Sequence, residues 1–100
     1  MMAEKKIFHD KDTEKVWNRI FVKKWSKDLQ KQAWEKMALL FSFADDSTNL
    51  RTVFSDLELL KGKRKGQTSI RVNDQFRLCF FWQEGKIYQL ELVDYHDEPK

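Results

Sequence analysis

Residues 68–96, TSIRVNDQFRLCFFWQEGKIYQLELVDYH, decide the fold. Two turn signals divide this stretch into three extended runs. Asn73-Asp74-Gln75 separates TSIRV from FRLCFFW, and QEGK, turning at Gly85, separates FRLCFFW from KIYQLELV. Runs rich in β-branched and aromatic residues, bounded by Asn, Asp and Gly, form strands joined by tight hairpins. The stretch therefore predicts an antiparallel meander. Leu57-Glu58-Leu59-Leu60 predicts a further strand upstream, followed by the basic segment KGKRKGQ.

Before residue 57 the hydrophobic period is helical. Asp10, Asp12 and Thr13 offer N-caps, and Val16, Trp17, Ile20, Phe21 and Trp25 recur at helical spacing. Ser26 is a second N-cap, followed by a stripe of Leu29, Ala33, Met37, Leu40 and Phe41. Two amphipathic helices with a short connection predict an αα-hairpin whose stripes are core faces. Lys6-Ile7-Phe8-His9 reads as a short strand and residues 44–51, ADDSTNLR, as a loop. The expected architecture is α+β: an N-terminal short strand and an αα-hairpin on one face of a small antiparallel sheet, with the other face open to a partner.

One hundred residues with 41% hydrophobic content, four Trp and eight Phe fit a single domain, 1–100, with one core. Three Gly and one Pro argue against low complexity. The lone Cys79 lies in an apolar run, reads as a small buried hydrophobe and suits a reducing compartment. No apolar stretch approaches a membrane span, and the first residues hold no apolar signal-peptide core, so a cytoplasmic protein is expected. Cys79, His9 and His96 are too few for a zinc site, and no phosphate-binding glycine motif is present; neither metal nor cofactor is expected.

The net charge is +3, and its distribution says more than its size. Lys61, Lys63, Arg64, Lys65, Arg71 and Arg77 face one acid, Asp74, between residues 61 and 77. A local basic cluster is a footprint for a polyanion. Arg71 and Arg77 flank the Asn73-Asp74 turn and meet across the hairpin. At the end of the last strand, alternation puts Tyr88, Leu90, Leu92, Asp94 and His96 on one face, with the Asp94 and His96 Cβ atoms about 6–7 Å apart. Tyr95 points the other way. Composition alone favours a polar chain end and a solvated basic turn over a site. Taken together, however, the cations suit stabilisation of a phosphodiester, His96 suits proton transfer near neutral pH, and Tyr95 suits stacking on an unpaired base.

Residues 59–96 closely resemble the C-terminal half of HigB-type toxins of the RelE/ParE superfamily. The shared pattern is L-K-G-x-R-x-G, then S-I-R-[VI]-N-x-x-[FYW]-R, an apolar strand, and D-Y-H, kept here at every spacing. The resemblance implies a microbial-RNase-like fold and a ribosome-dependent mRNA endonuclease that needs no metal, in which the ribose 2′-hydroxyl attacks the adjacent phosphate. Carried over by position, Lys61 and Arg77 are the phosphate-stabilising cations. Asp94 and His96 handle protons or orient substrate, in either order, and Tyr95 contacts a base. Arg64 and Arg71, with Lys63 and Lys65 beside them, contact RNA or ribosomal RNA. The implied partners are a HigA-type helix-turn-helix antitoxin, the ribosome with mRNA in its A site, and operator DNA only through the antitoxin, with no membrane. Two rival functions are a gyrase inhibitor of the ParE branch, which the terminal D-Y-H disfavours, and a non-catalytic module that binds antitoxin or ribosomal RNA. Thr68 departs from the pattern where an aromatic is common. Residues 97–100 add acidic charge after the motif and are expected to be loose, with the strand running through Tyr95.

Overall fold

The computed structural model describes residues 6–95. Helix α1 (Lys11–Trp17) is followed by a connection, then α2 (Lys27–Phe43) and α3 (Ser47–Val53). The strands β1 (Glu58–Leu59), β2 (Thr68–Arg71), β3 (Phe76–Gln83) and β4 (Lys86–Asp94) form one antiparallel sheet in the order β1-β2-β3-β4. The predicted α+β layering is present. Ile70, Leu78, Phe80, Leu90 and Leu92 on one sheet face meet Leu29, Ala33, Met37 and Leu40 of α2 in a single core. Among the described residues no helix is long and apolar enough to cross a membrane.

The helical layer differs from the expected hairpin in ways that follow from caps. Asp10 caps α1, accepting the Thr13 N–H at 2.7 Å, as predicted. The helix then stops at Trp17, although the apolar spacing continues. Arg19 adopts φ +63°, its N–H donates to Val16 O (3.1 Å) and the Ile20 N–H reaches back to Lys15 O (2.8 Å). These two bonds satisfy carbonyls at the helix end and turn the chain away. A left-handed arginine is costly, but its guanidinium lies 3.8 Å from the centroid of the Trp34 ring, an attraction that offsets part of the strain. Ile20 and Phe21, expected in the core, are consequently 53% and 56% exposed. Buried Gln30 fixes the irregular connection: its side chain accepts the Val22 N–H (2.9 Å) and donates to Val22 O and Trp25 O (both 2.8 Å). Ser26 caps α2 as expected, accepting the Leu29 N–H.

The stretch 44–51 was expected as a loop, yet most of it enters α3. Asp46 is its N-cap and accepts the Asn49 N–H at 3.1 Å, while Leu50 is fully buried. A helix of about two turns has too few apolar positions to show a period.

The strand register matters most for function. Glu84 (φ +52°) and Gly85 (φ +76°) make the tight β3–β4 turn, with both residues left-handed as two-residue hairpins favour. Gln89 at φ +53° then interrupts β4, and the β3 pairing shifts between Cys79 and Phe81. The irregularity inserts a step into the alternation. Tyr88, expected to share the Leu90 face, pairs with Phe81 instead, while Ile87 and Leu90 both enter the core. Beyond Gln89, Leu90 and Leu92 face the helices as predicted. Asp94 follows on that side, paired with Phe76, while Glu91 and Val93 face away.

The predicted N-terminal strand is a single parallel bridge, Phe8 to Leu90, on the outer edge of β4. His9 N–H donates to Leu90 O (2.9 Å), and Leu90 N–H and Gln89 N–H donate to Ile7 O and Lys6 O (both 2.8 Å). Thr13 Oγ1 accepts the Leu92 N–H at 3.1 Å. Together these cover an edge that would otherwise present unpaired backbone groups.

Candidate nucleic-acid interface

The second sheet face is not bare, as the sequence suggested, but partly covered by the basic loop. Leu60 packs on Cys79 and Val93, forming a small apolar cluster that fixes the loop's start. A 3-10 turn, Gly62–Arg64, follows. The loop closes with Leu60 N–H donating to Gln67 O (2.8 Å) and Gln67 N–H to Arg64 O (2.9 Å). From there Arg64 Nη1 donates to Glu91 Oε1 on β4 (3.0 Å) and to Gln67 Oε1 (3.1 Å). The ion-paired side chains of Arg64 and Glu91 are only 20% and 21% exposed. The pair thus pins the loop carrying Lys61 and Lys63 across the sheet. Gly62, at φ +68°, lies where a Cβ would meet nothing within 4 Å, so the loop surface beside Lys61 is open to a ligand.

A cavity of about 890 Å³ forms between this loop and the end of β4, lined by Lys61, Lys63, Arg64, Glu91, Tyr95 and His9. Its size falls in the range of small-molecule and nucleotide sites. Lys61 and Lys63 are exposed on its rim, and Lys65, also exposed, lies outside it. Arg77 sits on the same sheet face as Val93, its cross-strand partner. Its guanidinium is placed by two contacts: Nη1 donates to the buried Ser69 hydroxyl (2.9 Å), and Cζ lies 4.7 Å from the Tyr95 ring centroid. A guanidinium has five N–H donors, so others remain for a phosphate. Arg71 is the cross-strand partner of Arg77, as predicted, and is exposed; its backbone N–H donates to Asp56 Oδ2 (2.9 Å).

Asp94 lies on the other side of the strand from Tyr95 and Arg77 but shares a cavity with Arg64. The sequence placed it beside the cations, but the pleat turns it to the helix side, where it lines a second cavity of about 730 Å³ with Gln75, Asn73, Lys24 and Trp25. Gln75 holds it there: Nε2 donates to Asp94 Oδ2 at 2.7 Å. Arg64 and Glu91 line both cavities, so the two meet at the edge of β4. The strand ends at Asp94, one residue earlier than expected, although Tyr95 N–H still donates to Gln75 O (2.8 Å) and fixes the ring's position. His96 and residues 97–100 lie outside the described residues.

Sequence reasoning missed three contributors. Ser69 and Gln75 were read only as strand and turn residues, yet they orient Arg77 and Asp94. His9 has, in the sequence, the look of a strand residue and of one of too few metal ligands. Donor atoms of His9, Asp10 and Glu91 do lie within 4.8 Å of one another. Asp10 is committed to capping α1 and Glu91 to Arg64, so a cation there would compete with both.

The arrangement can hold a polyanion across the end of β4, stack a base on Tyr95 and present a carboxylate at the neighbouring cavity. No curated protein matches the chain. A family model described as the RelE-like toxin of type II toxin–antitoxin system HigB matches residues 5–96. The match takes in the short edge segment, the helices, the basic loop and all four strands, and on that ground the chain belongs to the HigB-like, RelE-type toxins of type II toxin–antitoxin systems.

Proposed function

We propose that this toxin is a ribosome-dependent endoribonuclease that stops translation by cutting mRNA in the A site. The observation that carries the reading is the cavity shared by Lys61, Arg64 and Tyr95, with Arg77 stacked behind the Tyr95 ring. An RNA strand crossing the end of β4 places one base on Tyr95 and its phosphate between Lys61 and the spare donors of Arg77. The 2′-hydroxyl attacks the adjacent phosphate, and charge building on the phosphate oxygens is stabilised by these cations. Asp94, oriented by Gln75, and His96 take part in moving the protons or orienting the ribose. Arg71, Lys63 and Lys65 extend the basic surface toward ribosomal RNA. The site belongs in the cytoplasm with the ribosomes. The family implies an antitoxin partner, read here as a HigA-type helix-turn-helix protein that links the toxin to operator DNA.

In a purified translation system, wild-type protein should cut mRNA only where ribosomes have engaged it. Lys61→Ala and His96→Gln should each slow cutting by about 100-fold or more while leaving the thermal unfolding profile unchanged. Intact mRNA with wild-type toxin would refute the activity, and full-rate cutting by both variants would refute the site.

A further inference from the structure

We infer that His9 is a further proton-transfer residue of this site, beside Asp94 and His96: the general acid that protonates the leaving 5′-oxygen. The inference rests on the endonuclease reading and adds a residue from the other end of the chain. Its basis is register. The parallel bridge sets Phe8 beside Leu90, and both turn into the core side. Alternation then sets His9 beside Glu91, facing away from the helices, and the distance agrees: His9 Nε2 lies 3.9 Å from Glu91 Oε1. The His9 backbone is held by its bond to Leu90 O, while its side chain is 48% exposed and lines the same cavity as Lys61 and Tyr95.

Transphosphorylation needs two proton movements. The 2′-oxygen forms its bond to phosphorus as the bond to the 5′-oxygen breaks, yielding a 2′,3′-cyclic phosphate and a free 5′-hydroxyl. One group must take the 2′-hydroxyl proton and another must supply a proton to the 5′-oxygen. Asp94 lies over the edge of β4 in the neighbouring cavity. On the Lys61–Tyr95 side, His9 supplies an imidazole, a side chain suited to exchange a proton near pH 7. The Glu91 carboxylate, which also accepts from Arg64, faces the ring at 3.9 Å. The ring gives its proton to the 5′-oxygen and recovers one from solvent. The groups around it are Asp10 on its own segment, Glu91 and Tyr95 at the end of β4, Glu58 on β1, and Lys61, Lys63 and Arg64 on the loop.

The test compares two mRNAs in the ribosomal assay, one ordinary and one with a bridging sulfur in place of the 5′-oxygen at the cut site. A thiolate leaves without being protonated. His9→Gln should slow cutting of the ordinary message about 100-fold and cut the sulfur message at close to the wild-type rate. Equal slowing on both messages would reduce His9 to a structural role, and an undiminished rate on the ordinary message would remove it from the site; either result overturns the inference. If wild-type protein cuts neither message, the endonuclease reading fails and His9 as its acid fails with it. If wild type cuts and His9→Gln cuts equally well, only the inference fails.

Discussion

The Arg64–Glu91 pair is where the site's geometry is most open to measurement, because it is the tether between the basic loop and β4. At 3.0 Å and an effective dielectric of about 20, the Coulomb attraction is roughly 5 kcal/mol. Desolvation takes back most of that. Exposed pairs net about 0–1 kcal/mol, whereas removing one partner of a buried pair costs about 3–5. With each side chain about one-fifth exposed, this pair belongs between those limits. Glu91→Gln should cost about 2 kcal/mol, and a cycle of Glu91→Gln, Arg64→Met and the double variant should return a coupling of about 1–2 kcal/mol. Urea unfolding of the four proteins, His9 being kept in all of them, gives the coupling directly. In a two-state chain of this length the single substitution should lower the melting temperature by about 8–16 °C. Burial of about four-fifths of each side chain also limits screening, so the coupling should change little between 0.1 and 1 M salt. A coupling below about 0.3 kcal/mol, or one that vanishes in 1 M salt, would mean the pair is a loose surface contact and does not hold Lys61 in place.

Other consequences are simpler to read. Gln30→Ala strands three backbone groups of the 18–26 connection, the two on Val22 buried and the Trp25 carbonyl partly so, and should cost about 3 kcal/mol by urea unfolding, against under 1 for an exposed glutamine such as Gln32. Gly85→Ala should be the worst glycine substitution in thermal melts. Its Cβ would come within 3.1 Å of the Asp45 backbone at φ +76°, whereas Gly62→Ala, in open space, meets only the left-handed penalty of about 1 kcal/mol. At Arg19, where φ is +63°, Ala should be less stable than Gly by about 1 kcal/mol, a difference independent of the lost Trp34 contact. Tyr95→Phe should retain most cutting in the translation assay. Tyr95→Ala should lose about 10-fold or more through the missing stack.

What could be read from the chain, and what could not, divides along physical lines. The β2–β3–β4 meander was legible because each turn is written locally, in Asn73 and Gly85, and Arg71 and Arg77 on either side of the first turn do pair across the hairpin. Ser26 announced α2 for the same reason. The end of α1 was not legible: nothing in Asn18-Arg19-Ile20 signals a left-handed arginine, and the Trp34 ring that offsets part of its strain belongs to the next helix. Nor was the bulge at Gln89, which reassigned Tyr88 to the opposite face. For the site, period-two alternation correctly separated Tyr95 from Asp94, yet the same pleat carries Arg77 to the Tyr95 side, away from the aspartate expected beside it. The site is therefore wrapped around the edge of β4 instead of lying on one face. Among the described residues the opening segment bridges β4 at Phe8–Leu90 and Thr13 takes the Leu92 N–H, with Asp94 and Tyr95 following at the strand's end. The bridge that covers the strand edge also sets His9 beside Glu91, so edge protection and the position of the proposed acid arise from one register between the N-terminal segment and β4.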